Sequence, residues 1–471
     1  MDTHVVVLAA GKGTRMKSAR PKVLHRVAGQ PLIQHVLACA ATIHPRSTTV
    51  VIGHQAEELT AALAGHRGLI FVVQEPQLGT AHALMTTEAV LAGQTGMLVL
   101  LSGDVPLLTP RTLQTLVARH EKTGAAATVV TAVVVDPQGY GRIVRTGEQI
   151  ARIVEQKDAS PAEREIREIN SGIYAFSIAG LFDAVRSIAA ENAQKEYYLP
   201  DLVAIYRRRG AIVETVTVSN PDEIRGINSR VELAAVSRIV RDQKTAELMA
   251  SGVTIEDPAT AYVDAGVTVG ADTILHPGVS LEGCTTIGAG CEIHSGTRIV
   301  DSQIGDRVIV LNHCVITNAR IADEACVGPF AHLRAEADVR ANARVGNFVE
   351  LKKTVLGAGS KANHLAYLGD ATIGEKVNIG AGTITCNYDG TNKNQTVIED
   401  GAFVGSDSQL IAPVTIGKGA YVGSGSTIRE NVPAGALAVS AGKQRTIENW
   451  VVDRRKKREA RTKNQEPRTK D

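Results

Sequence analysis

Branched apolar residues recur at every sixth position through the second half of the chain, from Val263 to Ile428, with occasional shifts of one residue. A helix would give a period of 3.6 residues and a half-buried strand a period of two. A six-residue repeat instead indicates a parallel β-helix, in which each hexad forms one flat face with one inward side chain. A β-sandwich, the alternative, would alternate at two. The clearest repeat positions are Val263, Val269, Leu275, Leu281, Ile287, Ile293, Ile299, Ile304, Val310, Ile316, Ile321, Val327, Leu333, Val339, Val345, Leu351, Ile398, Val404, Leu410, Ile416, Val422 and Ile428.

The middle of this region is less regular, through Leu356, Ala362, Leu368, Ile373 and Ile379. Three hexads would complete one coil, and stacked coils would bury the inward residues in a continuous apolar column. Aromatic residues make up only 3% of the chain, which suits such a column of Val, Ile and Leu.

The 471 residues are enough for two or three domains. A net charge of +2 gives no reason to expect nucleic acid or a membrane as partner. The six cysteines show neither CxxC pairing nor metal-ligand spacing, which favours a reducing compartment, where a buried thiol acts as a small hydrophobe. We find no signal peptide before the first strand and no apolar run of about 18 residues. These features predict a cytoplasmic protein.

The first half of the chain alternates strand-like and helical segments. We predict strands over residues 4–10, 48–52, 69–73 and 97–101, and helices after Pro31 and over residues 56–63 and 80–91. Such alternation is typical of a doubly wound α/β sheet, in which ligands bind at the carboxyl ends of the strands. The glycine-rich loop 11–16 follows the first strand, where backbone N–H groups, Lys12 and Arg15 could bind phosphate. A glycine turn with solvated charges is the alternative interpretation of the loop alone.

Motifs around this loop extend the pattern. Residues 8–16 (LAAGKGTRM), followed by 21–24 (PKVL), resemble the signature of sugar-1-phosphate nucleotidyltransferases. Asp104 in LSGDVP (101–106) follows a buried strand, where a carboxylate could hold Mg²⁺, although Gly-Asp is also a common turn pair. The resemblance implies that Asp104 and Asn228 are the Mg²⁺ ligands. It also implies a nucleotide- and sugar-binding set of Leu8, Ala9, Ala10, Gly11, Gly13, Arg15, Lys22, Gln74, Gly79, Thr80, Ser102, Gly103, Asp104, Gly141, Glu155, Asn170 and Asn228. Ser102 stands where some relatives have an aromatic residue.

Polar segments interrupt the hexads between residues 346 and 393. Segment 361–370 (KANHLAYLGD) places His364 close to Tyr367, and segment 385–393 (TCNYDGTNK) is too polar to continue the coil. A lone histidine on a β-helix is more often packed or solvated than catalytic. With Arg334 and Lys352 in neighbouring coils, however, His364 could take the proton of an attacking amine while the cations neutralise a phosphate.

Taken together, residues 5–450 resemble the GlmU-type bifunctional N-acetylglucosamine-1-phosphate uridyltransferase/glucosamine-1-phosphate acetyltransferase family. The supporting motifs in the second half are GNFVE (346–350), HLAYLGD (364–370), NIGAGT (378–383), NYDG (387–390) and VGSD (404–407). The resemblance implies that His364 is the general base of acetyl transfer. Arg334, Lys352, Tyr367 and Asn378 would hold the amino-sugar phosphate, and acetyl-CoA would contact Ala381, Asn387, Tyr388, Ser406, Ser424 and Ala441. Some members have an arginine where this chain has Ala441, with Lys443 and Arg445 nearby.

The resemblance also implies the domain plan and the partners. We expect a Rossmann-like nucleotidyltransferase domain over residues 1–228 and a linker helix over 229–252. A left-handed β-helix acetyltransferase domain of hexapeptide repeats over 253–450 and a charged, disordered tail over 451–471 would follow. The substrates would be glucosamine 1-phosphate, N-acetylglucosamine 1-phosphate, UTP and acetyl-CoA, with Mg²⁺ as cofactor. The assembly would be a homotrimer through the β-helix, and the product, UDP-N-acetylglucosamine, would supply peptidoglycan and lipopolysaccharide synthesis.

Two rival functions share this architecture. One is an ADP-glucose pyrophosphorylase-like nucleotidyltransferase whose β-helix is structural or regulatory; the segments around His364 and Asn387 argue against it. The other is a non-catalytic scaffold resembling the translation-initiation exchange-factor subunits, which have no need of Lys22, Asp104 and Asn228.

Overall fold

The computed structural model describes residues 1–440, 442 and 444–463, which form two compact units. The first contains Met1–Val267 and Leu281–Cys284, and the second contains Thr268–Ser280 and the described residues from Thr285 onward. Every predicted repeat position named above is buried, and the α/β and β-helix fold classes are confirmed.

The first unit is an α/β domain. Its strands are β1 (Thr3–Leu8), β2 (Arg26–Val27), β3 (Gln30–Pro31), β4 (Ser47–Ile52), β5 (Leu69–Val73), β6 (Met97–Ser102), β7 (Ala127–Val133), β8 (Arg142–Thr146), β9 (Gln149–Val154), β10 (Glu168–Ser177), β11 (Val213–Val218), β12 (Thr254–Ile255) and β13 (Tyr262–Val263). Its α-helices are α1 (Leu32–Ala41), α2 (Ala56–Ala62), α3 (Thr80–Met85), α4 (Glu88–Leu91), α5 (Pro110–Thr123), α6 (Pro161–Arg164), α7 (Leu181–Arg186), α8 (Asp201–Arg208) and α9 (Arg230–Ala250). Short 3₁₀ turns lie at Thr14–Met16, Lys22–Leu24 and Pro221–Ile224.

The main sheet of this unit has the order β11-β7-β10-β6-β1-β4-β5, with the β8–β9 hairpin paired to β10. Strands β6, β1, β4 and β5 are parallel, and β10 runs antiparallel between β7 and β6. Successive residues of β1 face opposite cores: Val5 and Val7 pack in one apolar cluster and Val6 in the other. Both faces are therefore covered, as expected for a strand that reads as a continuous apolar run.

Two helical predictions in this unit have different outcomes. The helix predicted over residues 80–91 is two helices, α3 and α4, which are separated by Thr86 and Thr87; the hydroxyls of these two residues bond the carbonyls of Ala83 and Leu84. The expected linker helix is α9, which belongs to the first unit. The Ser229 hydroxyl caps it by accepting a hydrogen bond from the N–H of Glu232.

Beyond Val267 the chain forms short strands. They are β14 (Thr268–Val269), β15 (Ile274–Leu275), β16 (Ser280–Glu282), β17 (Thr286–Ile287), β18 (Glu292–Ile293), β19 (Arg298–Val300), β20 (Gln303–Ile304), β21 (Ile309–Val310), β22 (Val315–Thr317), β23 (Arg320–Ile321), β24 (Cys326–Val327), β25 (His332–Arg334), β26 (Asp338–Val339), β27 (Arg344–Lys352), β28 (Val355–Leu356), β29 (Lys361–Gly369), β30 (Ala371–Ile373), β31 (Asn378–Ile379), β32 (Ile384–Cys386), β33 (Thr396–Ile398), β34 (Phe403–Val404), β35 (Gln409–Ile411), β36 (Val414–Ile416), β37 (Tyr421–Val422), β38 (Thr427–Ile428) and β39 (Leu437–Ala438).

These strands stack as a left-handed parallel β-helix with one coil per three hexads. Val269 pairs with Ile287, and Ile287 pairs in turn with Ile304, so the second of these coils is one residue shorter than the first. A shift of one residue in the sequence period is therefore a coil that is shorter by one residue at a corner. Strands β27 and β29 are longer than the others and run through a corner, pairing over most of their length.

Buried hydroxyl and thiol groups connect successive coils at the inner corners. The Ser360 hydroxyl donates to the Gly374 carbonyl (2.7 Å) and accepts from the Val377 N–H (2.8 Å), so it satisfies two backbone groups of the next coil. Thr273 makes the same pair of bonds to Gly288 and Cys291. Cys291 and Cys314 occupy equivalent corners and are buried, whereas Cys284 is exposed. The six cysteines are free thiols.

The prediction of a disordered tail is wrong for its first part, because Trp450–Lys463 forms helix α10. The segment over residues 453–463 is rich in Arg and Lys, which favour helix. The side chains of residues 450–460 are exposed, as expected for a segment that cannot build a core. Residues 464–471 lie outside the described residues. Among the described residues, no helix combines the length and the apolar character needed to cross a membrane.

Candidate active sites

A crevice opens where β1 and β6 lie side by side and the order of the strands along the chain reverses. Leu8 and Ser102 are paired at the carboxyl ends of these strands, and the Gly103 N–H bonds the Leu8 carbonyl at 2.9 Å. Such a switch point is where α/β sheets bind ligands. A cavity of about 550 Å³ lies here. Its lining includes Leu8, Ala9, Ala10, Gly11, Gly13, Lys22, Gln74, Gly79, Thr80, Ser102 and Asp104, all predicted site residues.

Lys22 lies between the two predicted metal ligands. Its ammonium group bonds Asp104 Oδ2 and is 3.2 Å from Asn228 Oδ1. The Lys22 and Asp104 side chains are only 17% and 15% exposed, so the pair is shielded from water. The Asn228 N–H also donates to Glu232 Oε2 at 2.6 Å, which fixes the loop that carries the amide. Two oxygen ligands thus converge on one cation, and Mg²⁺ prefers such oxygen ligands. Asp104 and Asn228 therefore fit a Mg²⁺ site.

The glycine loop is held close to this lysine. Gly13 has a φ of +59°, and a Cβ added there would lie 2.7 Å from the Lys22 Cβ. Any other residue would strain the turn or displace the lysine. Arg15, in contrast, is exposed and lies outside the residues that line the cavity.

The Gln74 amide is buried at the same cavity. Its Nε2 bonds the Gly79 carbonyl at 3.0 Å and contacts His82 Nδ1 at 3.2 Å. The Thr80 hydroxyl accepts from the Leu199 N–H at 3.1 Å. These contacts order a segment that the resemblance assigns to the nucleotide base.

A second cavity shares Leu8, Thr80 and Ser102 with the first and is also lined by Gly141, Glu155 and Asn170. Asn170 Oδ1 accepts from the Tyr174 hydroxyl (2.9 Å) and the Gly172 N–H (3.1 Å). A Cβ at Gly141 would lie 3.1 Å from Glu155 Oε1, so the glycine keeps this wall open. The two adjoining cavities give room for a nucleotide beside a sugar.

The carboxyl group at this wall is perturbed. Burial, followed by the negative charges of Asp158 and Asp201, raises the pKa of Glu155. Burial and Asp158 raise the pKa of Asp201 in the same way. A carboxylate that is desolvated before a ligand arrives gains strongly from hydroxyl donors, which a sugar supplies.

The second candidate site lies on the corner formed by β27 and β29. His364 and Asn347 are paired across these strands, and His364 Nδ1 lies 2.8 Å from Asn347 Oδ1. An amide oxygen can only accept, so in this arrangement Nδ1 carries the proton and Nε2 has the basic lone pair. His364 is exposed, so its ring is accessible to a ligand.

Two carboxylates orient the predicted phosphate-binding cations. Lys352 Nζ lies 2.8 Å from Asp370 Oδ2, and the Asn387 amide bonds the same oxygen. Arg334 Nε bonds Glu350 Oε1 at 2.7 Å. The Asp370 hydrogen bond raises the pKa of Lys352, so this ammonium stays charged. Burial acts against ionisation of Asp370, but the hydrogen bonds from Lys352 and Asn387 outweigh it and lower the pKa of that carboxyl.

Tyr367 and Asn378 complete the set predicted for the sugar phosphate. Tyr367 is paired with Glu350 in register, and a Cβ on Gly369 would overlap its hydroxyl oxygen. Asn378 is paired with Lys361 on the next coil. Arg334, Lys352 and Tyr367 therefore lie on one face of adjacent coils, whereas Asn378 lies on the face that precedes it, in line with Lys361 and Arg344.

The predicted acetyl-CoA residues mostly follow one corner of the β-helix. Backbone bonds join Gly382 to Leu365 (2.8 Å), Asp407 to Ala381 (2.7 Å) and Gly425 to Ser406 (2.8 Å). Ala381, Ser406 and Ser424 therefore lie on consecutive coils that continue from His364. Tyr388 belongs to the extruded loop, where its hydroxyl donates to the Gly390 carbonyl at 2.6 Å. Asn387 contacts Asp370, the partner of Lys352. Ala441 and Lys443 lie outside the described residues.

Sequence reasoning assigned no role to Asn347, Glu350 or Asp370, although all three lie within quoted motifs. Each contacts its partner from an adjacent coil: Asn347 precedes His364 by 17 residues, and Lys352 precedes Asp370 by 18. The coil length itself was therefore the signal that could have identified them.

Family comparisons cover both units. The model of the MobA-like NTP transferase domain matches residues 5–168, and that of the bacterial transferase hexapeptide (six repeats) matches residues 395–430. "Bifunctional protein GlmU" of Heliobacterium modesticaldum is 50% identical over 95% of this chain and 97% of its own length. The proteins of the same name from Trichlorobacter lovleyi and Pelobacter propionicus are 48% and 47% identical, over 96% and 97% of this chain and 98% and 99% of their own lengths.

Proposed function

The chain belongs to the family of bifunctional GlmU proteins, and from this premise we propose how its two sites make UDP-N-acetylglucosamine. The protein is an enzyme with acetyltransferase and uridylyltransferase activities. Acetyl-CoA first acetylates the amine of glucosamine 1-phosphate, and UTP then transfers a uridylyl group to N-acetylglucosamine 1-phosphate. The observation that carries the proposal is that full-length similarity to the family extends over both units.

Acetyl transfer takes place at the corner of β27 and β29. The 2-amine of glucosamine 1-phosphate attacks the thioester carbonyl, His364 Nε2 takes the amine proton, and the tetrahedral intermediate expels the CoA thiolate. Asn347 holds the tautomer in which Nε2 is basic. Arg334 and Lys352 neutralise the substrate phosphate, each oriented by its carboxylate partner. No protein nucleophile is needed, so the six thiols play no part in the chemistry.

Uridylyl transfer takes place in the β1–β6 crevice. A phosphate oxygen of N-acetylglucosamine 1-phosphate attacks the α-phosphorus of UTP in line, and pyrophosphate leaves. Asp104 and Asn228 would hold Mg²⁺, which when bound supplies charge stabilisation to the phosphates. Lys22, which bonds both residues, is close enough to turn its ammonium group toward phosphate oxygens. Gln74, Gly79 and Thr80 contact the base, and Glu155 and Asn170 accept hydrogen bonds from sugar hydroxyls.

We infer that the protein is a homotrimer through the β-helix. Phe330, Phe348 and Leu365 follow one another on the corner that carries His364, and they are 49%, 57% and 62% exposed in the single chain. The two phenylalanine rings stack with centroids 5.5 Å apart. A ladder of exposed apolar side chains of this kind favours burial against another subunit. Light scattering should give three times the 49.8 kDa chain mass, and Phe348→Asp should lower it.

The proposal places the protein in the cytoplasm, where its co-substrates UTP and acetyl-CoA are available, and gives it the role of supplying peptidoglycan and lipopolysaccharide synthesis. Its free thiols suit that compartment.

The decisive experiment follows thiol and pyrophosphate release separately with glucosamine 1-phosphate, acetyl-CoA, UTP and Mg²⁺. We expect both products, with thiol first. His364→Ala should lower thiol release by at least about a hundredfold and leave pyrophosphate release from supplied N-acetylglucosamine 1-phosphate intact. Asp104→Ala should abolish pyrophosphate release and leave thiol release intact. His313→Ala, which replaces an exposed histidine at a matching corner of an earlier coil, is the control.

The outcomes separate the alternatives. Pyrophosphate release that requires pre-acetylated sugar phosphate even in the wild type would mean that the β-helix is structural. Loss of both activities in either folded single variant would contradict two independent sites.

A further inference from the structure

A cluster of two histidines and one glutamate lies on early coils of the β-helix, outside both candidate active sites. Glu292 Oε1 is 3.2 Å from His276 Nε2 and 3.2 Å from His294 Nε2. The two imidazole rings stack with centroids 4.4 Å apart at an angle of 18°. Their three ligand atoms all lie within 4.8 Å of one another. The catalytic scheme uses none of these residues.

The repeat explains why they meet. Leu275 and Ile293 are paired inward residues of successive coils, so His276 and His294, which follow them, stack on the outer face. Glu292 and His294 flank the inward Ile293 and therefore emerge on the same side. The backbone N–H groups of His276 and His294 donate hydrogen bonds to the backbone carbonyls of Ile293 and Val310, at 3.0 and 2.8 Å. Rigid backbone thus presents all three side chains together.

We propose that His276, Glu292 and His294 form a site for a borderline divalent transition-metal ion, with Zn²⁺ as the best fit. With bonds of about 2.0–2.1 Å, a tetrahedral Zn²⁺ places its ligand atoms about 3.3 Å apart, and both carboxylate–imidazole distances match. The two Nε2 atoms lie within 4.8 Å of each other, so a small rotation of the side chains would bring them to the same spacing. Two imidazoles and one carboxylate leave a fourth position for water. Imidazole ligands select Zn²⁺, Co²⁺ or Ni²⁺ over Mg²⁺.

The ion would clamp two coils. His276 comes from one coil and Glu292 and His294 from the next, so metal binding crosslinks them and adds stability in proportion to occupancy. All three side chains are partly exposed, which leaves a path for the ion to enter. Four coil spacings of about 4.8 Å separate this cluster from His364, so it is a separate site.

The test is calorimetric titration of the full-length protein with Zn²⁺ in saturating Mg²⁺, which occupies the Asp104–Asn228 site. We expect one Zn²⁺ per chain at the cluster. His276→Ala, His294→Ala and Glu292→Gln should each weaken binding at least tenfold. His313→Ala is the matched control, because His313 also stacks on a ring of the next coil, that of Phe330 (centroids 5.3 Å apart), and it should stay within twofold.

A second measurement guards against misfolded variants. Hydrogen exchange of the wild type should slow on Zn²⁺ addition in peptides containing residues 274–276 and 292–294. Circular dichroism of the metal-free variants should match the wild type. The proposal is overturned if the wild type binds no more Zn²⁺ than the His276→Ala/His294→Ala double variant. Full affinity in Glu292→Gln would also overturn it, by reducing the site to a surface histidine pair.

Discussion

Asp370→Asn should loosen three neighbouring coils around the proposed acetyltransferase site. Among the described residues, Asp370 is the only carboxylate paired with Lys352, whose side chain is 8% exposed, and it also accepts from Asn387 on the following coil. Asparagine keeps the shape and one acceptor oxygen but removes the charge. The buried ammonium therefore loses its counterion while the backbone stays compatible.

The magnitude follows from the geometry. At the observed 2.8 Å and an effective dielectric constant near 20, the gross attraction is about 6 kcal/mol. Desolvation cancels part of it, and removal of one partner from a buried pair typically costs about 3–5 kcal/mol. Asparagine retains a neutral hydrogen bond worth about 1 kcal/mol, so we expect a loss of about 3 kcal/mol. That loss corresponds to a roughly hundredfold larger equilibrium constant for opening of the affected coils, and so to roughly hundredfold faster exchange.

Native-state hydrogen exchange measures this opening locally, which avoids assuming that a chain with two units unfolds in one step. The reporters are the N–H groups of Asp370 and Thr396, bonded to the Lys352 and Asp370 carbonyls at 2.9 and 3.2 Å. Glu324→Gln is the matched control. Its pair with Arg307 also joins successive coils at 2.9 Å but is 46–59% exposed and open to solvent screening, so we expect no measurable change in exchange.

The pH dependence has a definite sign. The pKa of Asp370 is lowered in the folded protein, so its contribution is complete above the unfolded pKa of about 3.9 and is lost as the pH falls through the folded value. The difference between wild type and Asp370→Asn should thus be full at neutral pH and shrink in acid. The pKa of Lys352 is raised, so its share is complete below the unfolded pKa of about 10.4 and is lost as the pH rises through the folded value. Equal exchange in Asp370→Asn and the control at neutral pH would refute the reasoning.

Two further predictions concern the same corner. Asn347→Ala should lower the kcat of acetyl transfer about tenfold, because one neutral hydrogen bond sets the His364 tautomer. Asn347→Asp keeps an acceptor oxygen and should retain most of the rate. Equal rates in the wild type and both variants would contradict this role of Asn347. Gly369→Ala should raise the KM for the amino-sugar phosphate with little change in kcat, because the new Cβ displaces the Tyr367 hydroxyl. Gly65→Ala is the control and should leave both constants unchanged, because a Cβ at this exposed position has no neighbouring atom within 4 Å.

The β-helix could be predicted closely because its information is local and repeated. Each coil buries an inward residue in the same way, so the burial of residues such as Ile287 and Ile304 can be predicted from their spacing alone. The unrepeated details were harder. Nothing in the local pattern shows that the helix is interrupted at Thr86 and Thr87. A charged segment that cannot build a core still forms helix α10, because its residues favour helix.

The first active site depends on long-range contacts, which no periodicity encodes. Lys22 meets Asp104 and Asn228 from 82 and 206 residues away, and only the strand order of the sheet brings them together. The family resemblance identified these three residues as site residues, but the sequence could not show that Lys22 bonds both proposed metal ligands. In the second site the coil length would have paired Asn347 with His364, had it been applied to polar positions as well as to apolar ones.

The extruded loop has a consequence for how such an enzyme can change. Ile373 pairs with Ile398 across the enlarged coil that contains the loop, yet Ile398 pairs with Ile416 at the ordinary coil length. The regular pairing between coils resumes immediately after the extruded loop, because each coil packs only against its two neighbouring coils. Loops inserted at the corners can therefore be exchanged without disturbing the strands on either side. Natural variation or a designer could lengthen, shorten or replace the Tyr388 loop to suit a different acyl donor, while the strands that carry His364 and Lys352 keep their places.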